Sequence, residues 1–361
     1  MRKLASVKIV DSVSHLKNFD FLDVVSIGGW RTVIANRCDT IKAGDKVVYF
    51  EIDSAIPFGD PRFEFLGEKR LEIFKNGIRP VEKVYKIKTI KLHGQISQGL
   101  VMPLEEFPEV IEANLTEVNT DLTDFLHVKN YDEMAKYYFS LNHKTSGGNA
   151  GRRLFPSFIK KTDEERLQNL IEYFEIYKDT EFEVTEKADG SSATYIWSPS
   201  NRPENPYYIC SRNFEIIEDE NMTDDLVDPF IYVSRIYDIK NLLMNLDHEY
   251  AIQGEIIGPG INGNRDNNVN IMFKVFRIFD ITENRWLTSE ERTLLCETSH
   301  LDHVKVIKNN FKVFQKYDTM EKMIEFADGR TDRGNLREGL VFKSKDGNTS
   351  FKVINVNYLL S

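Results

Sequence analysis

Thr185-Glu186-Lys187-Ala188-Asp189-Gly190-Ser191-Ser192 decides how this chain is understood. The alternating run Phe182-Glu183-Val184-Thr185 precedes it and Ala193-Thr194-Tyr195-Ile196-Trp197 follows, and a period of two marks both flanks as strands. Lys187 therefore stands where a strand meets an Asp-Gly turn. Alone this is weak evidence, because such a turn needs no function and a surface turn lysine explains it equally well. Its company carries more weight. Downstream, each on a strand-like segment, come Ser211-Arg212-Asn213, Gly254-Glu255-Ile256-Ile257-Gly258, Phe276-Arg277-Ile278-Phe279-Asp280-Ile281, Glu338-Gly339-Leu340-Val341-Phe342-Lys343 and Phe351-Lys352-Val353-Ile354-Asn355.

Upstream of the lysine, Thr162 followed by Glu165 has the form of a capping box, with Leu167, Leu170, Ile171 and Phe174 at helical spacing, which predicts a helix from about Asp163. Arg166 lies off that apolar stripe near the helix start, where a cation gains nothing from the helix dipole. The run His143-Lys-Thr-Ser-Gly-Gly-Asn-Ala-Gly-Arg-Arg153 has the composition of a flexible joint and follows a helical stretch near Tyr131–Leu141. It divides the chain into 1–140, with a helical linker to about 150, and 151–361. The first part carries short strands (VKIVDSV, DVVSI, RTVIA, DKVVYFEI, EKVYKIKTIKL) broken at Gly28-Gly29, Gly44-Asp45 and Gly67, the pattern of a small closed antiparallel barrel.

With 361 residues the chain suits two domains, and 41% hydrophobic content gives each a core. No apolar run is long enough to span a bilayer and the start shows no secretory signal, so the expectation is a soluble, cytoplasmic protein, taken as a monomer, with no membrane partner. Three widely spaced cysteines (Cys38, Cys210, Cys296) fit neither a disulfide framework nor a zinc site, and His93 and His248 show no ligand spacing. A net charge of −10 excludes coating of nucleic acid by bulk charge. Yet Leu66–Gln95 holds eight Lys or Arg against three Glu, and Lys86, Lys88 and Lys91 interleave with Tyr85, Ile87 and Ile90. That alternation predicts a basic strand face suited to a phosphate backbone, or an edge strand guarded by lysines.

The ordered motifs resemble those of the covalent nucleotidyltransferases, the ATP-dependent RNA and DNA ligases and mRNA capping enzymes, and within them RNA ligase family 5, the nick-sealing type. Lys161–Arg166, Asp45–Ser54 and Ser97-Gln98-Gly99-Leu100 extend the resemblance over nearly the whole chain. It implies an α+β protein: an N-terminal OB-type β-barrel that binds nucleic acid, then a mixed α/β adenylyltransferase domain on antiparallel sheets, ATP-grasp-like. Lys352 lies nine residues from the end, which leaves no room for the C-terminal domains of DNA ligases, capping enzymes or phage-type RNA ligases.

The implied reaction seals 3′-OH/5′-phosphate RNA ends, nicks in duplex RNA or RNA/DNA hybrids, through lysyl-AMP and RNA-adenylate, using ATP and Mg²⁺ or Mn²⁺. Lys187 is the implied nucleophile. A lysine with an ordinary pKa of about 10.4 is protonated at neutral pH, so its site must favour the neutral amine by desolvation or nearby positive charge. Asp189, Glu255 and Glu338 are hard oxygen donors suited to the metal, and Glu255 alternatively meets the AMP ribose. Phe276 occupies the adenine-stacking position, with a plain core phenylalanine as its rival, and Glu186 sits beside the base. Arg166, Arg212 and Lys352 are the phosphate cations. Relatives often carry Lys-x-Lys in the last motif; here Lys352 precedes Val353 and Ile354, so Lys343 or Lys345 would stand in. Alternatives are a DNA ligase, a capping-type nucleotidyltransferase, or a non-catalytic RNA-binding protein on a ligase scaffold.

Overall fold

The computed structural model describes residues 2–35, 40–72, 81–135, 152–161, 163–217 and 228–361. The chain folds as two units, Met1–Gly148 and Asn149–Leu359. Cys38, Thr162, most of the expected joint and the end of the expected Tyr131–Leu141 helix lie outside the described residues; 131–135 are helical. No helix among the described residues is long and apolar enough to cross a membrane.

The first unit is a set of antiparallel strands. Lys46–Phe50 is central, flanked by Ala5–Ile9 and Leu100–Pro103. It is buried on both faces, which is why it reads as an unbroken apolar run. Val48 and Phe50 join Val7, Phe63, Tyr85 and Phe107 in one core, while Val47 and Tyr49 join Val25, Ile27 and Trp30 in another. Leu22–Ile27 turns back into Trp30–Ala35 through Gly28 and Gly29, both at positive φ, as a two-residue hairpin turn requires.

Two expected strands are each two shorter ones. VKIVDSV breaks between Ile9 and Ser12, and EKVYKIKTIKL breaks between Lys86 and Ile90. The second break corrects the expected alternation: Tyr85 and Ile87 are buried, but Ile90 is exposed. The basic face is also partly neutralised, because Lys83 pairs with Glu68 at 2.9 Å and Lys86 lies over the Tyr131 ring at 3.8 Å, with Asp132 at 3.9 Å. The side chains of Arg70, Lys75 and Arg79 are outside the described residues.

The second unit holds two sheets. One has seven antiparallel strands in the order Arg152–Leu154, Phe214–Ile216, Tyr207–Ser211, Ser191–Trp197, Tyr250–Ile257, Met272–Asp280, Arg285–Trp286. The other has five: Glu165–Arg166, Ser350–Ile354, Gly339–Ser344, Phe182–Glu186, Val306–Phe311. The chain leaves the five-stranded sheet at Glu186 and enters the seven-stranded sheet at Ser191, so Lys187–Gly190 is the crossing between them. Gly190 is required there: a Cβ would lie 2.1 Å from the Ile256 carbonyl oxygen.

No helix begins at Asp163. Glu165–Arg166 is a short strand parallel to Phe351-Lys352, followed by a 3₁₀ turn at Leu167–Asn169 and a four-residue helix at Tyr173–Ile176. Glu165 accepts from the Arg166 N–H at 2.8 Å and from the Asn169 amide at 3.0 Å instead of reaching back as a cap. Leu167 is anchored among Phe182, Phe342 and Phe351, and that burial outweighs the local helix preference.

Candidate active site

Lys187 projects from the crossing into the space between the sheets. Its main-chain N–H donates to the Gly339 carbonyl at 3.0 Å, fixing the turn on the strand that begins beside Glu338. A Cβ on Gly339 would meet the Val353 carbonyl oxygen at 2.3 Å, so Glu338-Gly339 lies tightly on the neighbouring strand. The Lys187 ammonium is 2.7 Å from Glu338, with the two side chains 25% and 18% exposed. Burial pushes the amine's pKa down, but the Glu338 and Glu255 carboxylates push harder, and it is held above its ordinary value. In the protein alone the carboxylates thus oppose the neutral amine, and the expected positive charge of a metal and neighbouring cations would have to offset them.

Two clefts flank this lysine. The first, about 660 Å³, is lined by Glu186, Lys187, Ser192, Arg212, Glu255, Phe276, Lys343 and Lys352. Phe276 is half-buried and lines that space. Glu186 borders both clefts; burial pushes its carboxyl pKa up, and its Oε2 has no hydrogen-bond partner among the described residues. A buried acceptor without a donor fits the amino group of a purine. Glu255 faces Ser192 in register across the sheet, and burial raises its carboxyl to about 8 against the pull of Lys187.

The three cations expected at the phosphates gather at one edge. Arg166 is in register beside Lys352, and Asp163 lies between two of them, 2.5 Å from Arg212 and 3.8 Å from Lys352. Burial pushes the Lys352 pKa down, with Lys187 and Arg166 adding to it. Lys343 differs: it is 5% exposed and its ammonium donates to the Phe276 carbonyl at 2.6 Å. Its partner in this structure is the backbone beneath the aromatic ring.

The second cleft, about 980 Å³, brings Asp189 and Glu338 to the other side of Lys187, with Arg265, Lys274, Lys305 and Arg333. Asp189 accepts from Asn262 at 2.5 Å and from the Tyr358 hydroxyl. The three carboxylates expected around a metal are thus split, Glu255 in one cleft and Asp189 and Glu338 in the other. Among the described residues no three His, Cys, Asp or Glu side chains converge on a point that could take a metal directly. The donor set fits a hydrated hard cation held through its waters.

Sequence reasoning missed Asn262, Tyr358, Glu183 and Arg292. Asn262 belongs to the polar Ile261–Asn270 loop, whose left-handed Asn262, Asn264 and Asn267 mark it as built rather than slack. Tyr358 had no motif, because only the fold brings the last turn of chain to Asp189.

Comparison with known proteins agrees with this architecture. An OB-fold domain family matches residues 4–104 and the RNA ligase family matches residues 180–354. A mutant of Naegleria gruberi RNA ligase, with AMP and Mn, is 32% identical over 99% of this chain and 98% of its own, at a TM-score of 0.73. The same ligase with PPi is 33% identical over the same shares, at a TM-score of 0.70. No curated protein sequence matches the chain. An OB-fold domain followed by a ligase domain with a lysine at the crossing of its two sheets defines an enzyme that joins nucleic acid. The chain belongs to the RNA ligase family.

Proposed function

We propose that this RNA ligase uses ATP to seal 3′-OH/5′-phosphate RNA ends, as nicks in duplexes, through lysyl-AMP and RNA-adenylate. One observation carries the reading: the Lys187 amine lies against Glu338 in a cleft that also holds an aromatic ring, an unpartnered acceptor and three further cations. Adenine stacks on Phe276 with its amino group toward Glu186, and Glu255 takes the ribose. Lys352, Arg212 and Arg166 neutralise the phosphate oxygens, since nucleotidyl transfer depends mainly on in-line placement and charge. The relative solved with AMP and Mn supports ATP and a divalent cation here.

Asp189 and Glu338 would hold Mg²⁺ or Mn²⁺, which would supply positive charge to the reacting phosphate. Once the Lys187 ammonium has given its proton to water, its lone pair attacks the α-phosphorus as pyrophosphate leaves. AMP then passes to the 5′-phosphate, and the 3′-hydroxyl displaces it. The 1–140 domain grips the RNA beside the break, and the enzyme acts as a cytoplasmic monomer. Incubation with α-labelled ATP and Mg²⁺ is expected to give an acid-labile labelled protein that Lys187→Ala does not form; equal labelling of the variant would overturn the assignment. Nicks with RNA or DNA on the 3′-OH side separate RNA sealing from DNA sealing.

A further inference from the structure

Phe276 is an extra residue in its strand. Gln253 pairs with Arg277 and Gly254 with Val275, so the ladder between Tyr250–Ile257 and Met272–Asp280 skips position 276. Such a bulge frees a carbonyl from the ladder and re-aims a side chain. The freed Phe276 carbonyl accepts from two buried cations, Lys343 Nζ at 2.6 Å and Arg292 Nη1 at 3.3 Å. Lys343 comes from the five-stranded sheet, in register with Glu183. Arg292 comes from the helix Ser289–Thr298 and grips Glu183 with both terminal nitrogens, at 2.9 and 2.6 Å; Ser289 donates to the same carboxylate at 2.6 Å. Lys343, Arg292 and Glu183 are each under a tenth exposed.

We infer that Lys343, backed by the Glu183–Arg292 pair, is a positioning residue: it clamps the Phe276 bulge so that the aromatic ring stays presented to the nucleotide base. The inference rests on the reading of Phe276 as the base-stacking ring. It gives the lysine of the Glu-Gly-Leu-Val-Phe-Lys segment a main-chain partner in place of a phosphate. An unclamped bulge can slide to a neighbouring residue, and a slip of one position turns the ring out of the cleft.

The test is calorimetric binding of AMP and ATP to the full chain in a Lys187→Ala background, which stops turnover. Lys343→Met is expected to weaken AMP and ATP equally, by roughly ten-fold, as Phe276→Leu does. Added to Phe276→Leu, it is expected to cost less than about two-fold more, because both remove the same stacked ring. Lys343→Gln keeps an N–H donor and is expected to stay within about three-fold of the parent. A loss for ATP without one for AMP would mean a phosphate contact and overturn the inference, as would a full additive loss in the double variant. If Lys343→Met does not fold, the Gln variant decides, and a loss as large as that of Phe276→Leu counts against the clamp. Unchanged AMP affinity in Phe276→Leu would sink the base-stacking reading itself. A loss in Phe276→Leu with none in Lys343→Met sinks only the clamp.

Discussion

Lys187 at the mouth of the site follows the strand Phe182–Glu186, and Lys343 at its floor lies on the strand paired with it; the first is partly buried and the second buried. Burial drives the Lys343 pKa down to about 8, because its carboxylate neighbour Glu183 is already shared with Arg292. The same burial acts on Lys187, yet Glu338 and Glu255 reverse its sign. The lesson is that burial sets how strongly a lysine is perturbed, while the local balance of charge sets the direction. The floor is built to hold a backbone still. At the mouth two carboxylates hold the amine's charge.

The largest expected effect breaks the contrast at the mouth. Lys187→Ala should lower adenylate formation by roughly 10³-fold or more, read by α-labelled ATP, while leaving the fold intact by circular dichroism. Next in size, Glu183→Gln at the floor leaves Arg292 and Lys343 facing a neutral group. It is expected to cost about 3–5 kcal/mol of stability in urea unfolding, the usual penalty for breaking a buried ion pair. A mouth substitution sharpens the comparison without ATP or metal. Glu338→Gln removes the strongest charge holding Lys187 protonated, so the amine's pKa should fall, seen as a shift to lower pH in its acylation by a small electrophile.

The smallest effect concerns Glu255, whose folded carboxyl titrates near 8 against an ordinary 4.5, with Lys187 opposing the shift and Glu338, Asp189 and Glu164 adding to it. A raised carboxyl stabilises the fold most when protonated, so this contribution is complete below about pH 4.5 and is lost as pH rises through about 8. Glu255→Gln mimics the protonated acid. Its Tm should therefore exceed that of the parent by a few degrees at about pH 8.5 and match it at about pH 4.5. Glu183, lowered to about 2 by Arg292 and Lys343 against its own burial, runs the other way and keeps its contribution throughout that window.

Strand patterns were legible where a local pattern ran unbroken, alternating at Phe182–Glu186 and continuously apolar after Lys46 in Lys46–Phe50. The site motifs were legible for the same reason: each sits on or beside a strand. What escaped depends on contacts distant in sequence. Arg166 looked helical because the capping pattern around it is intact on paper, and only pairing with Lys352 makes it a strand. Val275–Ile281 looked like a dense apolar strand, but the core-facing positions of Met272–Asp280 run Phe273, Val275 and then Ile278. That change of phase is the trace of the bulge, and it was present in the sequence. The Lys343 ammonium was assigned to phosphate because nothing local reveals a carbonyl waiting in the other sheet.

Four residues, Lys187 to Gly190, tether one sheet to the other, and they reach no farther than about 14 Å when fully stretched. Lys187 thus rides on a short strap between two separately packed scaffolds, one bearing Phe276 and the other Lys352. Loosening either scaffold's interior, even far from the strap, would change the aim of the amine before it changed any residue that touches the nucleotide.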